Sequence, residues 1–198
     1  MIPIAVLVSG CGTNLQALID AGEAGILCAG KIALVISSNP AAYALKRAEQ
    51  YHIPGIVVEP KSYSSPAAYN HAILGVLEAQ GIGLVVLAGF LGILGTPVIQ
   101  AYTQRIINIH PSLLPAFGGR GFYGLKVHEA ALARGVKITG ATVHYVDERV
   151  DGGEIILQKA VEVWEGDTPE TLQKRVMQEA EWQLLPAAVE LVCRKRER

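Results

Sequence analysis

Short runs rich in Val and Ile alternate with longer stretches of helical spacing, which predicts an α/β fold. The sheet should be doubly wound and mostly parallel, with antiparallel C-terminal strands. Composition agrees: 51% of the residues are hydrophobic and only 18% charged, as suits strands covered by helices on both faces. The 198 residues suffice for one sizeable core and are few for two, so a single domain over 1–198 is expected.

The apolar run from Ile2 to Val8 has the length of a strand. A glycine-punctuated turn then leads to a helix from Asn14 to Ala21, and Lys31 to Ser37 is the second strand. Ala41 to Tyr51 forms the second helix, beginning beside Pro40, and Gly55 to Val58 the third strand. A third helix from Pro66 to Gln80 precedes the strand Leu84 to Leu87, and a short helix from Thr96 to Ala101 precedes the strand Arg105 to Ile109. Gly140 to Val146 and Ile155 to Val163 alternate as antiparallel strands do, joined by the turn-like Asp147 to Gly153. Asp167-Thr168-Pro169-Glu170 reads as a helix start and predicts one long amphipathic helix to about Val192. His110 to Leu125 resists any period, with Pro111, Pro115 and glycines at 118, 119, 121 and 124. A long irregular loop in a compact domain is usually functional.

Charge and cysteine usage exclude several function classes. The formal net charge is −1, and the one basic run, Arg194 to Arg196, complements the dipole of a helix end. Nucleic acid is therefore not an expected partner, because counterion release needs a sustained basic surface. The Ile2 to Val8 run lacks both the basic flank and the length of a signal or membrane segment, so a cytoplasmic protein without a membrane partner is expected. Cys11, Cys28 and Cys193 are odd in number and far apart, which argues against a disulfide framework or a zinc site. Cys28 and Cys193 have apolar neighbours and are expected to act as small hydrophobes.

Two segments carry chemistry. Ser9-Gly10-Cys11-Gly12-Thr13-Asn14 follows the first strand and opens the first helix, where backbone N–H groups and the helix dipole converge on an anion. The segment lacks the third glycine of a dinucleotide fingerprint and the Gly-Lys-Ser/Thr of a nucleoside-triphosphate loop, so it suits a single phosphate. The alternative is a plain strand-to-helix turn capped by Thr13 or Asn14. Cys11 as a nucleophile lacks an adjacent base and is set aside.

The second segment is Asn108-Ile109-His110-Pro111-Ser112-Leu113-Leu114-Pro115. Asn108 and His110 lie two apart at the end of a parallel strand, where open α/β sheets place their ligands, so their side chains share a face. An amide and an imidazole together can stabilise an oxygen that becomes negative in a tetrahedral intermediate. Asp151, in the Asp-Gly-Gly turn, would favour the protonated imidazole if the fold brings it near; spacing alone also permits a simple turn residue.

Together with Leu87-Ala88-Gly89-Phe90 and Thr142-Val143-His144-Tyr145-Val146, these motifs resemble the phosphoribosylglycinamide formyltransferase family over nearly the whole chain. The resemblance implies a formyltransferase-type, Rossmann-like fold. It also implies transfer of a formyl group from 10-formyltetrahydrofolate to glycinamide ribonucleotide in purine synthesis, with no metal. Residue by residue it implies that Gly12, Thr13 and Asn14 hold the ribonucleotide phosphate and that Glu181 touches the ribonucleotide. Leu91, Gly92, Ile93 and Leu94 would line the folate pocket, with Asn108 and the turn from Asp147 to Asp151 beside the pterin. Asn108 and His110 would bind the reacting oxygen, His110 as general acid tuned by Asp151. Gly92 stands where many members carry Arg, and a basic residue that some place near Pro66 is absent. The helix carries one extra residue around Met177 to Glu181, followed by Trp182 where His is usual, and Gly118 to Gly124 follows one variant of the family.

His144 is expected to be structural or to support the site, whereas His52, His71 and His128 are expected on solvated surfaces. Two other readings compete: a formyltetrahydrofolate hydrolase, whose further N-terminal domain a chain of this length is not expected to contain, and a silent module binding a phosphorylated metabolite. Either a monomer or a homodimer is compatible with the chain.

Overall fold

The protein is described by a computed structural model covering residues 1–196. Seven strands form one sheet in the order β3-β2-β1-β4-β5-β6-β7. They are β1 (Ile2–Val8), β2 (Gly30–Ser37), β3 (Gly55–Val57), β4 (Leu84–Leu87), β5 (Ile106–His110), β6 (Ile138–Tyr145) and β7 (Ile155–Glu162). The first five pair in parallel and the last two are antiparallel. The central β1 shows why its sequence is a continuous apolar run: Ile4, Val6 and Val8 enter the core on one face, Ala5 and Leu7 on the other.

Helices cover both faces. α1 (Thr13–Glu23), α2 (Tyr43–Gln50), α6 (Pro169–Val176) and α7 (Trp182–Arg196) bury their apolar sides against the Val6 face. On the Leu7 face, α3 (Pro66–Ala79) and α4 (Thr96–Ala101) contribute Tyr69, Ile73, Leu77, Val98 and Tyr102. Because β1 neighbours β2 on one side and β4 on the other, the sheet reverses its winding there. A crevice opens above the carboxyl ends of the strands at such a switch point. No described helix is long and apolar enough to cross a membrane.

Several expectations need correction. A helix absent from the sequence reading, α5 (Leu125–Arg134), follows the irregular segment and ends at Gly135 in the left-handed region (φ 75). The expected single C-terminal helix is instead α6, a π-helical turn over Met177–Glu181, and α7. One extra residue in a helix is absorbed by such a turn, whose hydrogen bonds span five residues rather than four. His128, expected on the surface, is fully buried within α5. Cys28 is exposed rather than packed, because the α1–β2 connection is held through its backbone: Glu190 accepts the Cys28 and Ala29 N–H groups, each at 2.8 Å. Cys193 is buried.

Candidate active site

The connection from β1 to α1 turns at Gly12, whose φ of 71 lies in the left-handed region. A Cβ there would collide with Ala44 of α2, so the position demands glycine twice over. Gly12 therefore lies against α2 and shapes the backbone, while Thr13 and Asn14 line the cavity described below. No side chain caps the start of α1, which leaves its first N–H groups available to a ligand and removes the capped-turn alternative. The loop is braced from outside. Arg47 donates to the Cys11 carbonyl at 2.9 Å, and the Ser9 hydroxyl pairs with Ser38 at 2.7 Å while accepting the Leu91 N–H at 2.9 Å.

From the opposite direction the π-helical turn delivers Glu181, only 7% exposed, to Asn14, whose amide donates to its carboxylate at 2.7 Å. Burial pushes the Glu181 carboxyl above its ordinary value, and the Asn14 hydrogen bond partly offsets this. The amide oxygen of Asn14 is buried and has no partner in the protein.

At the end of β5, Asn108 and His110 both line the cavity. The antiparallel register sets Asn108 directly opposite His144 of β6, and the Asn108 amide nitrogen lies 3.1 Å from His144 Nε2. His144 Nδ1 lies 2.8 Å from the Tyr145 carbonyl, which accepts its proton, so Nε2 presents a lone pair to Asn108. Burial is the main influence and holds the His144 pKa below its ordinary value, against the pull of the Tyr145 carbonyl and Asp151. One Asn108 amide hydrogen is thereby committed to His144 and the other is directed elsewhere.

His110 is 4% exposed; its Nε2 donates to the Phe117 carbonyl at 2.8 Å, and its Nδ1 lies 3.6 Å from Asp151 Oδ2. That separation is slightly too long for a direct hydrogen bond. Asp151 faces both imidazoles, with Oδ1 at 3.7 Å from His144 Nε2, and Oδ2 accepts the Gly119 N–H at 2.8 Å. Phe117 (φ 53) and Asp151 (φ 55) both adopt the left-handed conformation, uncommon for non-glycine residues and concentrated at functional sites.

These groups open onto one cavity of about 670 Å³. Leu91, Gly92, Ile93, Leu94 and Asp147 also line it. Leu94 is buried, but Leu91 and Ile93 are 66% and 65% exposed and form an apolar rim. Asp147 is held below the usual carboxylate range by the Arg149 guanidinium, 2.7 Å away. Among the described residues no three His, Cys, Asp or Glu side chains group as metal ligands. His144 supports the site as expected, by holding the Asn108 amide, whereas Arg120, Gln173 and Met177 as lining residues were missed from sequence. A histidine two positions from Thr142 in an alternating strand was the available signal for His144.

Known proteins agree with this architecture. The formyl transferase family model matches residues 2–189. The phosphoribosylglycinamide formyltransferase of Bacillus subtilis is 44% identical over 172 residues, which are 87% of this chain and 85% of the relative. The human trifunctional purine biosynthetic protein adenosine-3 is 47% identical over 190 residues, 96% of this chain. The chain spans only 18% of the length of that protein. Among solved structures, glycinamide ribonucleotide transformylase 1 from Symbiobacterium toebii superposes with a TM-score of 0.93 at 44% identity, covering 99% of this chain and 89% of that one. The chain belongs to the formyl transferase family and, within it, to the phosphoribosylglycinamide formyltransferases.

Proposed function

We propose that this chain transfers the formyl group of 10-formyltetrahydrofolate to the amino group of glycinamide ribonucleotide. One observation carries the reading: Asn108, His110 and Asp151 converge on the same cavity that holds the uncapped start of α1. The phosphate would sit on the N–H groups following Gly12, and Glu181 would receive donors from the sugar. The exposed Leu91 and Ile93 suit the flat apolar faces of a pterin, with Asp147 at its polar edge.

The bound folate supplies an activated formyl carbon; the protein supplies position and charge. As the amine adds to that carbon, the free Asn108 amide hydrogen and His110 stabilise the developing oxyanion. His110 Nε2 would exchange the Phe117 carbonyl for the formyl oxygen, and the Asp151 contact would tighten, as catalytic hydrogen bonds commonly do on substrate binding. The amine loses a proton and the departing nitrogen gains one, a relay that we assign to His110 and Asp151. No covalent enzyme intermediate is needed.

An absorbance assay with 10-formyltetrahydrofolate, run with and without glycinamide ribonucleotide, tests the proposal. Formyl loss that depends on the ribonucleotide is expected. Equal loss without it would make the protein a hydrolase, and ribonucleotide binding without formyl loss would make it a silent module.

A further inference from the structure

The lining of the cavity is acidic, although both proposed substrates are anions. Asp147, Glu148, Asp151 and Glu181 contribute to it, against two guanidinium groups, Arg120 and Arg149. Arg149 is already engaged, donating to the Asp147 carboxylate at 2.7 and 3.2 Å and to the Gly152 carbonyl at 2.7 Å. Arg120 is exposed, and its guanidinium has no hydrogen-bond, ion-pair or ring partner among the described residues. A dianion entering such a cavity meets net repulsion unless a cation is at hand.

The backbone around Arg120 is specific. The Gly119 N–H is held by Asp151, and the Phe122 N–H donates to the Gly119 carbonyl at 3.2 Å, so Arg120 rides on a tight turn rooted beside the catalytic residues. Gly119 and Gly121 flank it with φ of 94 and 92, and a Cβ at either would meet open space. Glycine is thus required there for backbone conformation, not for close packing. The chain then enters α5, which packs on α6. Gln173 of α6, together with Met177 and Glu181 of the π-helical turn, lines the same cavity, and Glu181 holds Asn14 of the phosphate loop. Arg120 therefore lines the same cavity as Thr13 and Asn14.

We propose that Arg120 is a substrate-binding residue that closes over the ribonucleotide phosphate and, opposite the helix-start N–H groups, completes its site. A guanidinium suits this task, since its planar fork can donate two hydrogen bonds to a phosphate at once. The inference rests on the reading of Gly12 to Asn14 as the phosphate anchor.

The test is steady-state kinetics of Arg120→Ala and Arg120→Lys. The Ala variant should raise KM for the ribonucleotide by about tenfold or more and leave KM for the formyl folate within about twofold, with Lys intermediate. An unchanged ribonucleotide KM, or a rise confined to the folate, would overturn the assignment. Titration of inorganic phosphate alone separates this inference from the proposed reaction. Weaker phosphate binding by the Ala variant upholds Arg120 even if the ribonucleotide proves not to be the acceptor, and equal binding by both proteins sinks it.

Discussion

At the scale of single residues, the site consists of polar groups that orient one another before any substrate arrives. His144 takes one hydrogen of the Asn108 amide, and Asp151 stands 3.6 Å from one imidazole and 3.7 Å from the other. Removing one donor to a developing oxyanion typically costs about a hundredfold or more in turnover, so His110→Ala should lose at least about that much, and Asp151→Asn, which removes the carboxylate that favours the protonated imidazole, should lose a similar factor. Ribonucleotide affinity, measured by equilibrium titration, should change little, because neither side chain belongs to the proposed phosphate site. Turnover close to that of the unaltered protein in either variant would remove the residue from the mechanism. The pairing of Asn108 and His110 was legible from their two-residue spacing. A supporting role for His144 was also expected, but its partner was not legible, because the register that sets it opposite Asn108 joins residues far apart in the chain.

At the scale of elements, the C-terminal helical segment shows how a local irregularity serves the site. The π-helical turn over Met177–Glu181 lets Glu181 face Asn14 while Leu184, Leu185 and Ala188 remain in the core. The family resemblance implied an extra residue there, but helical periodicity predicted one unbroken helix, since side-chain propensity hardly distinguishes a π turn from an α turn. The entry to α6 is secured by a nearly buried ion pair. Arg175 donates to Asp167 at 2.6 and 2.7 Å, stacks over the Trp164 ring at 3.6 Å and donates to the Glu162 carbonyl at 3.0 Å. The Arg175 bonds, above all, hold the Asp167 carboxyl down to about 2. Breaking such a pair from one side leaves a charge uncompensated, so Asp167→Ala should cost about 3 kcal/mol in chemical denaturation. A loss below about 1 kcal/mol would show the pair to be no stronger than a surface salt bridge.

At the scale of the whole molecule, stability should depend on pH through buried histidines. His128 is fully buried, and burial, helped by the nearby His110, lowers its pKa from 6.5 to about 4. The unfolded chain therefore takes up a proton near pH 6.5 that the native state refuses until about pH 4. In that window the unfolded state binds more protons, so stability rises with pH and is lost as pH falls from about 6.5 towards 4. Between pH 7 and 5 this amounts to roughly 2 kcal/mol for His128, and His144, shifted in the same direction, adds to it. Urea denaturation at the two pH values should show a flatter dependence in His128→Leu than in the unaltered protein. Equal slopes would place the acid sensitivity elsewhere.

The sequence by itself determined the layered α/β architecture, because strands buried on both faces must be continuously apolar and their crossover helices must carry a stripe. It also singled out the two motifs to which the chemistry is assigned in the proposed function, since glycine punctuation at a strand-to-helix turn and a two-residue spacing are local signals. Tertiary structure decided everything that depends on register or docking. It alone placed Asp151 beside His110, set Asn108 opposite His144, brought Glu181 to Asn14, and buried His128 in a helix whose pattern was too weak to read. Each of these is an encounter between segments distant in the chain, and side-chain order along one segment carries no record of which other segment will pack against it.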